Sequence, residues 1–136
     1  MLKNLSEPIL ITGANGFIGS NLTRHLINNK KKINILLKKD SNYWRIKDLL
    51  SKTQNYHVNL KDKKKLDEVI KEIKPRTIFH LAAYGAYPKQ KKIDEIKKVN
   101  FESTLNLLNS CKKNGFNKFI NTGSSSEYGF KNKPMR

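Results

Sequence analysis

Cysteine is nearly missing from this chain, with Cys111 the only one in 136 residues. An internal disulfide is thereby excluded, and the composition fits a reducing compartment, so a cytoplasmic location is expected. Apolar runs of the length a membrane-spanning helix needs are also missing, and no signal-peptide pattern precedes the first apolar run. Neither a membrane nor secretion is therefore expected to figure in its function. Histidine is rare, and no His/Cys cluster has metal-ligand spacing, so no metal is expected. Acidic residues are scarce, 11 against 28 Lys and Arg, which leaves a formal charge of +17. Such an excess suits nucleic acid or acidic partners. Here, however, the lysines fall in short runs at 30–32, 38–39, 63–65, 91–92 and 97–98, without an RNA-binding signature or interleaved aromatics. They read as solvated faces that help attract a diphosphate, and nucleic acid is not expected as a partner. Glycine is sparse too, 7 in all, which makes three of them within Gly13–Gly19 stand out.

Those three lie in Thr12-Gly-Ala-Asn-Gly-Phe-Ile-Gly-Ser20, after the apolar run Ile9-Leu10-Ile11. The run reads as a buried strand. Ile18, Leu22 and Leu26, four apart, read as the face of a following helix from about Gly16 to Asn29. A glycine pattern on a strand-to-helix turn has a physical meaning that a lone pattern lacks. Gly13 allows the tight turn, Gly16 lets backbone approach a pyrophosphate, and Gly19 lets the helix pack closely. The free N–H groups and positive dipole end of the helix then face phosphate.

The spacing Gly13-x-x-Gly16-x-x-Gly19, with Thr12 ahead and Phe17-Ile18 inside, resembles the extended short-chain dehydrogenase/reductase family of nucleotide-sugar epimerases, dehydratases and ketoreductases. The resemblance implies an NAD or NADP site built on Gly13, Asn15, Gly16, Phe17, Ile18 and Gly19. It also implies a nucleoside-diphosphate sugar as substrate and a homodimer as the complete enzyme. A short match at Ser41-Asn42-Tyr43-Trp44-Arg45-Ile46 is similar to the CDP-abequose and CDP-paratose synthase branch.

A second strand is expected at Ile33–Leu37, where an acid at the end would bind the ribose hydroxyls of NAD. Lys38 and Lys39 stand there instead. Two readings stay open: the ammonium groups meet the extra phosphate of NADP, or both are simply exposed. Ser41 is expected to cap a short helix through Leu50, with Tyr43, Ile46 and Leu50 on one side. A third strand is expected at about Tyr56–Asn59, and the resemblance puts Asn59 and Leu60 beside the adenine. Asp62 is expected to cap a helix with a stripe of Leu66, Val69, Ile70 and Ile73, ending before Pro75. The fourth strand, Thr77–Leu81, runs into Ala82-Ala83, which resembles the small-residue loop that lets the cofactor come close. His80 reads as a core residue. A helix from about Ile93 to before Gly115 carries Ile93, Ile96, Leu107, Leu108 and Cys111 inward, with Cys111 merely packed. Asn100, in a pattern resembling the family's Asn-x-x-x-Thr, reads as a buried Asn on an apolar face that needs partners, and it is expected to tie that helix to the neighbouring strand loops.

The fifth strand, Lys118–Thr122, leads into Gly123-Ser124-Ser125-Ser126-Glu127-Tyr128-Gly129. By resemblance Ser124 is the catalytic hydroxyl that hydrogen-bonds the reacting sugar oxygen. Serines at 125 and 126 replace the Asp-Glu pair of the 4,6-dehydratases, so ketoreduction or epimerisation is expected rather than dehydration. The family's Tyr-x-x-x-Lys pair belongs on a helix after the fifth strand, and it is not found there before Arg136. Tyr43…Lys47 and Tyr87…Lys91 carry the spacing in the wrong places. Four strand–helix units and a fifth strand imply one α/β domain over 1–136, a doubly wound parallel sheet of Rossmann type in the order 3-2-1-4-5. The expectation is a cofactor-binding half that stops before the catalytic helix and the sugar-binding region and is inactive alone. A non-catalytic dinucleotide-binding remnant or sensor is the alternative, and a basic nucleic-acid binder is a more distant one.

Overall fold

The computed structural model describes residues 5–85, 92–124 and 129. Strand β1, Ile9–Thr12, is buried at every position. Helix α1, Phe17–Asn28, follows the glycine turn and leads to β2, Ile33–Leu37, also buried throughout. A 3-10 turn at Leu50–Lys52 precedes β3, Gln54–His57. Helix α2, Lys63–Ile73, is capped by Asp62, whose side chain accepts the Lys65 N–H at 3.1 Å. After β4, Thr77–His80, the short α3, Ile93–Ile96, widens into a π-helical stretch, Lys97–Glu102. That stretch continues as α4, Ser103–Asn114, before β5, Lys118–Asn121.

The five strands pair in parallel in the order β3-β2-β1-β4-β5. Side chains alternate across the sheet and so build two cores. Ile9, Ile11, Ile35 and Leu37 meet Leu26 of α1 and Ile46 on one face. Leu10, Leu36 and Ile78 meet Leu66 and Ile70 of α2, with Leu107 and Cys111 of α4, on the other. Helices on both faces of a parallel sheet make it doubly wound, as the sequence implies. Burial also pushes the Cys111 thiol up to about 12, which fits a packed, unreactive cysteine.

Four expectations are corrected. The third strand starts two residues earlier than expected. It is an edge strand with the polar sequence Gln-Asn-Tyr-His, so the apolar signal at Val58 lies just past its end. The segment after Ser41 is no helix: turns run from Trp44 to Leu49, closed by i→i−3 bonds such as Leu49 N–H to Ile46 O at 2.8 Å. Asn42, not Ser41, caps it by accepting the Trp44 N–H at 3.0 Å. Aromatic and β-branched residues here gain little from a helix, while Tyr43, Ile46 and Leu50 still pack together on the core side. Ile18 is 63% exposed and Ile93 is 78% exposed, so neither joins its helix's inner face. Both stand in the first turn of a helix, beyond the part that the sheet covers. Finally, Asn100 is exposed rather than buried.

Candidate cofactor site

The glycine turn is built by close contact. Gly13 has φ +70°, and a Cβ there would lie 2.7 Å from the Leu81–Ala82 peptide. A side chain at Gly13 is thus barred both by conformation and by the neighbouring loop. A Cβ at Gly19 would lie 2.1 Å from the Gly13 carbonyl oxygen, which is how α1 seats against the turn. The Gly16 N–H donates to Gly13 O at 3.0 Å and closes it.

No side chain caps α1, and no acid lies in its first turn. The first N–H groups of a helix have no partner within it, and here they carry the positive end of the dipole. The side chains of Phe17 and Ile18, 73% and 63% exposed, point to solvent. Only their backbone N–H groups remain to serve the site that the sequence assigns them.

A cavity of about 460 Å³ opens at the carboxyl ends of β1, β2 and β4, beside this helix start. That size suits a cofactor site, and the position is the crevice where such sheets bind ligands. Of the sequence-assigned residues, Gly13, Asn15, Gly16, Lys38, Asn59, Leu60, Ala82 and Ala83 line it. Phe17, Ile18, Gly19, Lys39 and Asn100 do not. Lys39 misses because the chain turns after Lys38, whose carbonyl accepts from the Tyr43 hydroxyl at 2.5 Å. Asn59 is bent into its own loop, its side-chain oxygen accepting the Lys61 N–H at 3.1 Å.

Asn100 acts one step away from the cavity. Its side chain accepts the Tyr84 N–H at 2.8 Å and donates to the Tyr84 carbonyl at 2.7 Å, and Tyr84 lines the cavity. At the other end of that wall, the Ala82 N–H donates to Thr12 Oγ1 at 3.2 Å. His80 is buried in the core, as expected of it, and burial pushes its imidazole down to about 4. Among the described residues no group of His, Cys, Asp and Glu could hold a metal ion.

Sequence reasoning missed two basic residues in the wall, Arg45 and Lys61. Lys61 is neutralised by Glu95, 2.9 Å away on α3. Arg45 lies 4.3 Å over the Trp44 ring. The signal for Arg45 was its place in the loop that leaves β2, a strand end where a cofactor ribose is read.

Ser124 stands three residues past β5, at the same carboxyl edge, but it does not line this cavity. Ser125, Ser126, Glu127, Tyr128 and the Tyr87…Lys91 spacing lie outside the described residues. Tyr43, the other tyrosine with that spacing, is tied to Lys38 and Lys39 carbonyls, and burial and Asp40 raise its pKa. A proton-transferring tyrosine needs the opposite shift. Among the described residues no helix is long and apolar enough to cross a membrane.

Comparison with known proteins extends this geometry. Residues 9–136 match the NAD dependent epimerase/dehydratase family. A dTDP-D-glucose 4,6-dehydratase of Dictyostelium discoideum is 33% identical over 130 residues, covering 90% of this chain and 30% of that protein. The structure of UDP-glucose 4-epimerase from Thermotoga maritima with UDP-glucose is 28% identical, with a TM-score of 0.74 over 83% of this chain and 36% of that one. The Thermus thermophilus UDP-glucose 4-epimerase complex with NAD is 25% identical, with a TM-score of 0.69 over 79% of this chain and 34% of that one. The chain spans well under half the length of these relatives. From the first strand onward, through every described element of the sheet, this chain belongs to the NAD dependent epimerase/dehydratase family.

Proposed function

We propose that the chain is the cofactor-binding part of an NAD- or NADP-dependent nucleotide-sugar enzyme. That enzyme moves hydride between the nicotinamide and a sugar carbon, as a ketoreductase or an epimerase. The observation that carries this reading is the uncapped start of α1 opening onto a cavity at the β1–β4 crevice. Backbone N–H groups and the helix dipole there hold a pyrophosphate without a counter-charge from side chains. The cofactor supplies the hydride chemistry, and the residues of this chain bind and orient it. Gly13, Asn15 and Gly16 take the pyrophosphate, Ala82 and Ala83 leave room for the nicotinamide ribose, and Asn59 and Leu60 flank the adenine.

Ser124 holds the reacting oxygen of a nucleoside-diphosphate sugar by a hydrogen bond. Serines at 125 and 126 have no useful acid or base strength near neutrality, which favours reduction or epimerisation over loss of water. The deciding experiment is a titration of NAD(H) and NADP(H) against the wild type and Gly16→Val. A Cβ at Gly16 would lie 3.2 Å from Gly13 O, so a valine there has little room on the turn side and would crowd the proposed phosphate position. Thermal unfolding confirms that both proteins are folded. Loss of binding in the variant is expected. Equal binding by the two sinks the reading.

A further inference from the structure

The last residue of β4 carries a buried imidazole that the proposed cofactor contacts leave unused. His80 is 2% exposed, with Nδ1 2.7 Å from Thr12 Oγ1 and Nε2 2.8 Å from Thr104 Oγ1. The direction of these bonds follows from the far end. The Thr104 hydroxyl donates its proton to the Asn100 carbonyl at 2.8 Å, so its oxygen can only accept from the ring. A neutral imidazole has one N–H, so Nε2 carries it and Nδ1 accepts from the Thr12 hydroxyl. Thr12 Oγ1 in turn accepts the Ala82 N–H at 3.2 Å. At the opposite end, the Asn100 side chain grips both backbone groups of Tyr84. The chain of bonds is continuous and of one sense, from the Ala82 amide through Thr12, His80 and Thr104 to Asn100. It begins on the cavity wall at Ala82, and the Asn100 side chain at its end returns to the same wall at Tyr84.

We propose that His80, as its Nε2–H tautomer, is a positioning residue that fixes both ends of the Ala82–Tyr84 wall against the glycine turn. The wall has no slack on that side, because the Leu81–Ala82 peptide packs on Gly13 closely enough to exclude a Cβ. A ring that donated from Nδ1 instead would reverse both contacts: Thr12 Oγ1 would accept from the ring, and the Thr104 hydroxyl would have to leave the Asn100 carbonyl to donate to Nε2. The effect of this device on cofactor affinity rests on the dinucleotide reading. Its effect on the wall itself does not.

Thr104 does not line the cavity, so it serves as the test site. Thr104→Val keeps the shape and removes the hydroxyl, while Thr104→Ser keeps the hydroxyl. Long-range proton–nitrogen NMR of the free wild-type chain is expected to show the proton on Nε2 of His80. Amide exchange without nucleotide is expected to quicken about tenfold at Ala82 and Tyr84 in the valine variant, with Ile70 in α2 unchanged. The serine variant should match the wild type. NADH affinity should fall about tenfold in the valine variant alone. A proton on Nδ1, or unchanged exchange at Ala82 and Tyr84 in Thr104→Val, overturns the proposal. A wild-type chain that binds neither dinucleotide refutes the cofactor reading, and the tautomer and exchange rates still decide this one.

Discussion

At the scale of single residues, charge at the end of β2 is expected to set which dinucleotide is preferred. Lys38 and Arg45 reach the cavity, Lys39 does not, and no acid stands at the last position of the strand. The Lys61 charge is spent on Glu95, so among the described residues that line the cavity Lys38 and Arg45 are the cations that a 2′-phosphate would meet. The guanidinium has the fork that matches phosphate, so it should count for more than the ammonium. Lys38→Ala with Arg45→Ala is expected to weaken NADP binding at least tenfold more than NAD binding, by loss of two charge-assisted contacts of about 1.5 kcal/mol or more each. Lys39→Ala should change neither. Isothermal titration of both cofactors against the three proteins checks this, and an equal loss for the two cofactors returns Lys38 and Arg45 to the solvated surface.

Elements were more legible than the contacts between them. The buried runs Ile9–Thr12 and Ile33–Leu37 and the stripe Leu66–Ile73 are strong periodic signals, and each appears where the pattern puts it. The edge strand β3 was misplaced because a strand with one free edge needs few apolar residues, and hydrophobicity was the signal being read. In the site, the glycine turn was legible because it is local, a spacing within one loop. The Thr12–His80–Thr104 chain was not, because its members stand 68 and 24 residues apart: Thr12 meets His80 through the sheet register, and Thr104 reaches the ring from α4. The cap on α2 belongs to the legible kind and can be tested as such. Asp62→Ala is expected to cost about 1 kcal/mol, the usual worth of such a cap, seen as a lower urea midpoint with an unchanged slope. An unchanged midpoint would mean that the Lys65 N–H finds water equally well.

Across the whole molecule, stability should depend on pH through the imidazole on β4. Burial holds the folded His80 near 4, against an ordinary value of 6.5, so folding favours the neutral ring. The unfolded chain then takes up the proton first as pH falls. The stabilisation is fully present above about pH 6.5 and is lost progressively toward pH 4, to a total of about 3 kcal/mol. Asp67, lowered chiefly by its bond to Ser110, adds a loss of the same sign at lower pH. Urea unfolding from about pH 7 to about pH 5 is expected to show a falling midpoint that flattens in a folded His80→Gln variant. A wild-type midpoint that does not move over that range contradicts the buried neutral ring.

The order of the strands has a consequence for synthesis. β1 sits at the centre of the sheet and pairs with β2 on one side and β4 on the other. A ribosome delivers β2 soon after β1, but the partner for the other side follows only after a gap of 68 residues, from Thr12 to His80. At roughly 5–20 residues per second, that is a wait of about 3–14 s. During it, the nascent chain has the glycine turn but no opposite wall. On the proposed reading, a dinucleotide would therefore meet a complete site only after β4 has closed the crevice, and would trap that fold rather than template the early chain.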